Sequence, residues 1–353
     1  MTLQLGVDGL NLLSDRRGMG RFVRQVLRAA YDTRDTILTL IAKHPQLAAE
    51  YSQILERDVR AIVSPQEARA RPFDVVWYPW NGMRFTHAAP KVVTIHDVFA
   101  FTQPHRNLIA RLREQQPMRR AVANADCVVT VSRWSADEIA RTLDIARSTI
   151  RVISHAPEPF WVPAHPRASS SRYFLFVSGP ERRKNAALLF VAFREAFPAG
   201  QAELIIAGTL SENDRRLLDR AGIRFRHVQP DDAQLRTLYT GALAVTVPSL
   251  AEGFGLVAVE AMACGAAVLA SNSAALPEAC GEGAQLLDPY DHSTWSKALR
   301  RVFDDAAFRE ELRSRALRRR SQLEGAAPAR DMLALLRDIA DFKHDRQAHV
   351  SAL

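Results

Sequence analysis

Cysteine is scarce. Cys127, Cys264 and Cys280 are the only three in 353 residues, an odd number with no CxxC pair. That argues against a disulfide framework and against a structural zinc site, and it fits a reducing cytoplasm. Long apolar runs are lacking too: none approaches the ~20 residues that a spanning helix needs. The first stretch, MTLQLGVDGLNLL, is apolar, but it has no basic leading segment and Asp8 interrupts it. It reads as a first strand, not as a signal peptide. There is no short-period repeat and no low-complexity tract. Lysine is rare as well, at five of 47 basic residues, so each lysine invites the question of why arginine was not used.

What is present is ordinary for a folded chain. Hydrophobic residues make up 47% and charged ones 24%. The length exceeds one ordinary core, so two domains are expected. The net charge of +8 is uneven. Residues 1–160 hold 22 basic against 16 acidic side chains, and the remainder 25 against 23. The excess on the first half suggests an anionic partner there, whether phosphate, lipid surface or nucleic acid, or simply a solvated basic face.

Strand and helix patterns alternate throughout. Short apolar strands are expected at 3–9, 36–42, 59–63, 73–78, 91–96, 126–131 and 149–153. Several are nearly continuous apolar runs, as buried parallel strands require. The clearest helical stripe is Arg21 to Ala30, with Phe22, Val23, Val26, Leu27 and Ala30 on one face. Ala156 to Arg172, dense in Pro and Ser, reads as a linker. A second series follows: strands at 173–178, 203–207, 223–228, 243–247 and 266–270, with helices at 185–197, 213–221, 232–240 and 255–264 between them. The expected organisation is a first domain at 1–160, a second at 161–325, and a final segment at 326–353 whose Pro328 suits a first helical turn. The fold class is α/β, with two doubly wound Rossmann-like domains facing each other across a cleft.

Ligands of such sheets bind beyond the carboxyl ends of the strands, and four junctions there are unusual. In PSLAEGFGLVAVEAMACG, Glu252 and Glu260 flank the glycine-bearing loop Gly253-Phe254-Gly255 at a helix start. Glycines permit close backbone approach, and carboxylates accept strong hydrogen bonds from paired hydroxyls, so sugars are the expected ligands. A helix cap plus a core-edge glutamate is the blander alternative. In FVSGPERRKN, Arg182, Arg183 and Lys184 lead into a helix, which makes either a phosphate site or a solvated basic turn. In DRRGMGRF, Gly18 and Gly20 could cradle a diphosphate, although a lone GxG is a weak signal. Arg17, Arg21, Arg24 and Arg28 then follow on one helical face, a stripe suited to an anionic membrane or a phosphorylated acceptor, or to solvent. Fourth, Val92 to Asp97 ends a strand in His96, an active-site candidate, although a lone histidine is more often structural.

Taken together, these residues resemble the retaining glycosyltransferases of glycosyltransferase family 4, which have the GT-B fold. The E-x7-E pattern is Glu252 to Glu260 in EGFGLVAVEAMACG, the "RKN" junction is Arg183-Lys184-Asn185, the glycine loop is Gly18-Met-Gly-Arg-Phe22, and "TIHD" is Thr94 to Asp97. Val129 to Arg133, Leu276-Pro-Glu278 and Leu287 to Tyr290 also match, so the likeness runs along nearly the whole chain. It implies that Glu260 binds the nucleotide ribose and Glu252 the hexose. Gly253, Phe254 and Gly255 would lend backbone contacts near the sugar and diphosphate. Lys184, helped by Arg183, would neutralise the diphosphate, Gly20 would close over it, and His96 would touch the sugar near its reacting carbon. The final helix would cross back to the first domain. Two departures stand out. Ser178-Gly179 replaces the usual Gly-Arg pair, which shifts charge neutralisation to Lys184 with Arg182 or Arg183. Ser154-His155-Ala156 replaces Asn-Gly.

The resemblance implies hexose transfer from a nucleotide sugar with retained configuration, GDP-mannose being favoured, and UDP- or other GDP-sugars next. The acceptor would be a growing, lipid-linked glycan of cell-surface polysaccharide at the inner membrane face. With no Asp-x-Asp motif at a suitable strand end, neither metal nor cofactor is expected. The rivals are a nucleotide-sugar epimerase, a phosphorylase, a non-catalytic scaffold of the same fold, and a nucleic-acid binder. The last lacks aromatic residues among its basic stretches.

Overall fold

The computed structural model describes residues 2–15, 18–103, 108–164, 172–325 and 327–351, the last nine without their side chains. Two compact units emerge: Met1–His155 with Ala327–Leu353, and Ala156–Ala326.

The first unit is a seven-stranded sheet built from β1 (Leu3–Asp8), β2 (Thr36–Ile41), β3 (Ile62–Val63), β4 (Val75–Tyr78), β5 (Lys91–Thr94), β6 (Cys127–Thr130) and β7 (Ile150–Val152). Their order is β3-β2-β1-β4-β5-β6-β7 and every pairing is parallel. Sequences such as VVWY and CVVT are nearly all apolar because both faces are covered. Alternate side chains separate the two covers. Leu5, Val7, Val75, Trp77 and Val129 pack with Phe22, Val26 and Leu27 of the helix Gly18–Asp32. Val76, Tyr78, Val93 and Val128 pack on the other side with Ala136 and Ile139. The last helix, Pro328–Ser351, belongs to this unit. Its Met332, Leu333, Leu336 and Ala340 enter the Leu5–Phe22 core, at the i, i+1, i+4, i+8 spacing of one helical face. Arg337 pairs with Asp35 at its edge.

The second unit has β8 (Tyr173–Ser178), β9 (Glu203–Gly208), β10 (Phe225–Val228), β11 (Val245–Val247), β12 (Val268–Ser271) and β13 (Gln285–Leu287), ordered β10-β9-β8-β11-β12-β13 and parallel. Phe174, Phe176, Leu204 and Ile206 form its core with Leu189, Phe190 and Phe193 of the helix Ala186–Ala196. Trp161, just 1% exposed, packs edge-on against Tyr239 and ties the connecting segment to this unit. The remainder of the Ser-rich stretch, 165–171, lies outside the described residues.

In each unit the strand order reverses at one place, between β1 and β4 and between β8 and β11. The crevice of a doubly wound sheet opens there.

Two sequence expectations are corrected and a third is narrowed. The strand expected at 59–63 is only Ile62–Val63, because the Val59 amide donates to Ser52 Oγ (3.1 Å) and Arg60 is exposed. The helix expected at 185–197 does not start at Asn185. That residue adopts a left-handed conformation (φ 56°) and separates a 3-10 turn, Arg182–Lys184, from the helix proper. The arginine stripe is not wholly open, since two of its four side chains are engaged within the unit. Arg24 donates to the Asp15 carbonyl (2.8 Å), and Arg28 bridges to Glu56 (2.8 Å) while donating to the carbonyls of Ile54 and Leu55. Those bonds brace a loop and cap a neighbouring helix. Arg17 lies outside the described residues.

Candidate active site

In the second unit, β11 ends at Val247 and the chain turns through Pro248-Ser249 to Glu252. Across the switch point, β8 leads to the 3-10 turn that carries Arg183 and Lys184. The two loops meet on one carboxylate. Lys184 Nζ donates to Glu252 Oε1 (2.9 Å), as does Ser249 Oγ (2.7 Å), while Arg183 Nη1 donates to Oε2 (2.7 Å). The three charged side chains are 12–15% exposed. Burial by itself would raise the Glu252 pKa. The charges of Lys184 and Arg183, with the hydrogen bonds from Lys184 and Ser249, outweigh it and hold the value at about 2.

The backbone is strapped in the same place. The Leu250 amide donates to the Arg183 carbonyl (2.7 Å), and Arg183 Nη1 also reaches the Ala251 carbonyl (3.1 Å). Asn185 Nδ2 donates to the carbonyls of Pro248 (3.1 Å) and Pro289 (2.8 Å), which joins the loops after β8, β11 and β13. In the sequence, Asn185 stands out only as the last letter of the "RKN" match. Its left-handed backbone, which asparagine tolerates better than most residues, is what turns its amide toward both carbonyls.

Counting donors and acceptors shows what the cluster can still do. An ammonium has three donors, and among the described residues Lys184 spends one. A carboxylate offers about four acceptor positions, and Glu252 fills three. Two N–H donors of Lys184 and one lone pair on Glu252 therefore remain for a ligand: an anion and a hydroxyl group.

The helix Leu256–Ala263 begins immediately after the loop. Gly255, at its N-cap, has φ 108°, and a Cβ there would lie 2.7 Å from Leu276 Cδ2, so only glycine fits. Phe254 is 4% exposed, so its ring is part of the packing and only its backbone could face a ligand. Glu260 lies on the buried side of the helix at 4% exposed, and Tyr239 Oη donates to its Oε2 (3.3 Å). The structure thus joins Arg183, Lys184 and Glu252, and sets Glu260 against Tyr239. Nothing in the sequence pointed to Tyr239.

In the first unit, the chain after β5 places His96. It is 4% exposed and its Nε2 lies 3.1 Å from the Pro79 carbonyl, which can only accept. The proton is therefore on Nε2, and Nδ1 is left as an acceptor. Two more bonds hold the residue: its amide donates to Asn81 Oδ1 (2.6 Å), and its carbonyl accepts from Ser135 Oγ (3.1 Å), itself in a helix capped by Ser132. Burial lowers the His96 pKa to about 4, so the ring is neutral near pH 7. His155, at the departure from Asn-Gly, lies parallel to it at 6.0 Å, and burial together with His96 lowers its pKa to about 3. Phe22 meets both rings edge-on, at 5.8 Å and 5.0 Å. The His96 site is thus a desolvated aromatic pocket.

Gly18 starts the helix Gly18–Asp32, so Gly18 and Gly20 both lie in its first turn, where backbone N–H groups have no acceptor within the helix. A Cβ on Gly20 would fall 1.9 Å from the Asp15 carbonyl oxygen, which explains this glycine without a ligand.

Asp8, at the end of β1, carries no signal of function in the sequence. It is 1% exposed, and burial raises its pKa to about 7, against the Leu10 amide bond and the Arg84 charge that lower it. Between about pH 4 and 7 the folded state keeps a proton that the unfolded chain releases, so stability falls as pH rises through that window. Asp8→Asn is expected to raise the melting temperature at pH 8, by an amount corresponding to roughly 4 kcal/mol at most, and to leave it unchanged at pH 3.5. A gain of equal size at both pH values would show that Asp8 ionisation is not the cause.

Comparison with known proteins gives the family. Residues 17–156 match the family model "Glycosyltransferase Family 4", and residues 158–319 match "Glycosyl transferases group 1". The chain belongs to the GT-B glycosyltransferases. It is 29% identical to the O-antigen chain mannosyltransferase B of Escherichia coli over 65% of this chain and 66% of that one. It is 28% identical to a D-inositol 3-phosphate glycosyltransferase of Corynebacterium diphtheriae over 73% and 68%. Anabaena HepE, solved with UDP and glucose, superposes with a TM-score of 0.72 at 15% identity, over 97% of this chain and all of the other. Within this glycosyltransferase the Arg183–Lys184–Glu252 cluster lies on the second unit and the histidine pocket on the first. Among the described residues no group of three or more His, Cys, Asp and Glu side chains could hold a metal ion, and no helix is long and apolar enough to cross a membrane.

Proposed function

We propose that this glycosyltransferase moves mannose from GDP-mannose, with retained anomeric configuration and without a metal ion, to a growing lipid-linked glycan of a cell-surface polysaccharide. The observation that carries the reading is the Arg183–Lys184–Glu252 cluster at the β8–β11 switch point. Two N–H donors of Lys184 suit the departing diphosphate, where negative charge develops, and fixed positive charge there can do what a divalent cation does elsewhere. The open lone pair of Glu252 suits a hexose hydroxyl, and Glu260 the ribose diol. His96, neutral with Nδ1 as acceptor, suits a sugar hydroxyl near the reacting carbon. The mannosyltransferase name of the E. coli relative supports the choice of sugar. The reaction would take place at the cytoplasmic face of the membrane. Activity is expected to be unchanged by a chelator.

A thermal-shift screen with GDP-, UDP-, ADP- and dTDP-sugars, comparing wild type with Glu260→Ala, tests the donor. The expected result is a shift with GDP-mannose that is lost in the variant, since a ligand bound only by the folded state raises its stability. A shift with another nucleotide sugar reassigns the donor. No shift with any of them overturns the reading. Turnover of donor without acceptor would favour an epimerase, and a requirement for inorganic phosphate would favour a phosphorylase.

A further inference from the structure

Glu260 is the one charged residue of the helix Leu256–Ala263, whose other positions are all Leu, Val, Ala or Met, and it is buried. A carboxylate among such neighbours costs stability unless hydrogen bonds compensate it. Tyr239 Oη supplies one, to Glu260 Oε2. The position of that hydroxyl is itself well determined. Tyr239 is 0% exposed near the end of the helix Asp232–Gly241, whose start is anchored by a reciprocal pair of bonds between Asp231 and Gln234. Its ring meets the ring of Trp161 at 5.7 Å and 65°.

The connecting segment that carries Trp161 is stitched to the same helix on both sides of that contact. Arg236 stacks over the Phe160 ring, 4.7 Å from its centroid, and the Ala164 amide donates to Thr240 Oγ1 (2.9 Å). Arg236, Tyr239 and Thr240 stand at i, i+3 and i+4, on one helical face. A run of connecting chain thus holds the face that holds the hydroxyl. The choice of a phenol has a chemical consequence. Lys184 and Arg183 offset the charge of Glu252. A phenol is neutral, so it fixes the rotation of a carboxylate without offsetting its charge. A carboxylate that is oriented and still charged suits a vicinal diol, where two hydroxyls must be met at once.

We propose that Tyr239, braced by Trp161, is a positioning residue: it fixes the Glu260 carboxylate in the orientation that meets both hydroxyls of the donor's ribose. The proposal rests on the ribose reading of Glu260. It adds a residue that, being fully buried, acts without touching the nucleotide.

Calorimetry of the full chain with GDP and UDP, each beside its 2′,3′-dideoxy counterpart, tests the two readings separately. The quantity read is the ratio of the dissociation constants with and without the ribose hydroxyls. Wild type is expected to prefer the ribonucleotide by roughly a hundred-fold, about ten-fold for each hydroxyl bound to a carboxylate. Glu260→Ala should bring the ratio near one. Tyr239→Phe keeps the ring and its contact with Trp161 and removes only the hydroxyl, and its ratio should fall to about ten. A purely structural role would weaken both nucleotides alike and leave the ratio where it was. A wild-type ratio in Tyr239→Phe, with the ratio lost in Glu260→Ala, therefore overturns the positioning role and leaves the ribose reading standing. A wild-type ratio in Glu260→Ala, a ratio near one in wild type, or no binding of either nucleotide overturns both. Should Tyr239→Phe not fold, Trp161→Phe carries the same test: it keeps the hydroxyl but loosens the ring, and an unchanged ratio there overturns the proposal.

Discussion

Lys184→Ala is expected to lower kcat by about a hundred- to a thousand-fold, the usual cost of removing one preorganised donor from a developing negative charge. The departing diphosphate would lose the point charge that the 3-10 turn Arg182–Lys184 places at the end of β8. The fold should tolerate the change, because Glu252 keeps Arg183 and Ser249 as partners. Lys184→Arg should recover little. A planar guanidinium cannot hold one bond to Glu252 and aim two more as a rotating ammonium can. Nucleotide release at saturating donor is the measurement. A kcat within about three-fold of wild type in Lys184→Ala would remove Lys184 from the leaving-group role and leave it only the ion pair.

Glu252→Gln is expected to act on stability and on turnover together. The Glu252 pKa lies at about 2 in the folded chain, below its ordinary value of 4.5. Folding therefore favours the ionised form. That contribution is complete above about pH 5 and disappears as pH falls toward 2. It corresponds to on the order of 3 kcal/mol, since each tenfold change in proton affinity is worth about 1.4 kcal/mol. Glutamine also leaves Lys184 and Arg183 as two partly buried charges without a counter-charge. The variant should melt well below wild type at pH 7, and the gap should narrow as pH falls below about 4 and close only toward pH 2. A gap that stays constant with pH would show that packing, not charge, is what the substitution disturbs. In turnover, the neutral amide keeps an acceptor oxygen but loses the charge that fixes Lys184, so kcat should fall even where the variant is fully folded.

Much of the architecture was legible in the chain. Near-continuous apolar runs such as CVVT and VVWY could only be buried parallel strands, and the spacing of Phe22, Val23, Val26, Leu27 and Ala30 fixed one helix and its inward face. Glu252, Lys184 and His96 were visible because each ends a strand-to-helix junction, the one place in such a sheet where ligands bind. Other residues left no such trace. Asp8 looked like an interruption in an apolar run, and its burial at the end of β1 appears only once β4 lies beside it. Asn185 was a motif letter whose left-handed backbone, and hence its hold on Pro248 and Pro289, no pattern could reveal. Helical spacing says which arginines share a face, not whether a neighbouring loop already uses them. Arg24 and Arg28 are taken up by Asp15 and by Glu56.

The sequence by itself determined the alternation of strand and helix, the two-domain plan and the family, because these follow from local periodicity, glycine placement and short motifs. Tertiary structure alone decided the partners. Lys184 meets Glu252 across 68 positions of chain, and His155 lies against His96 across 59. Which strands lie side by side sets such distances, and with them the pKa of about 2 at Glu252 and about 4 at His96. Charge and burial act through space, so a carboxylate or an imidazole acquires its chemistry only when the fold has chosen its neighbours.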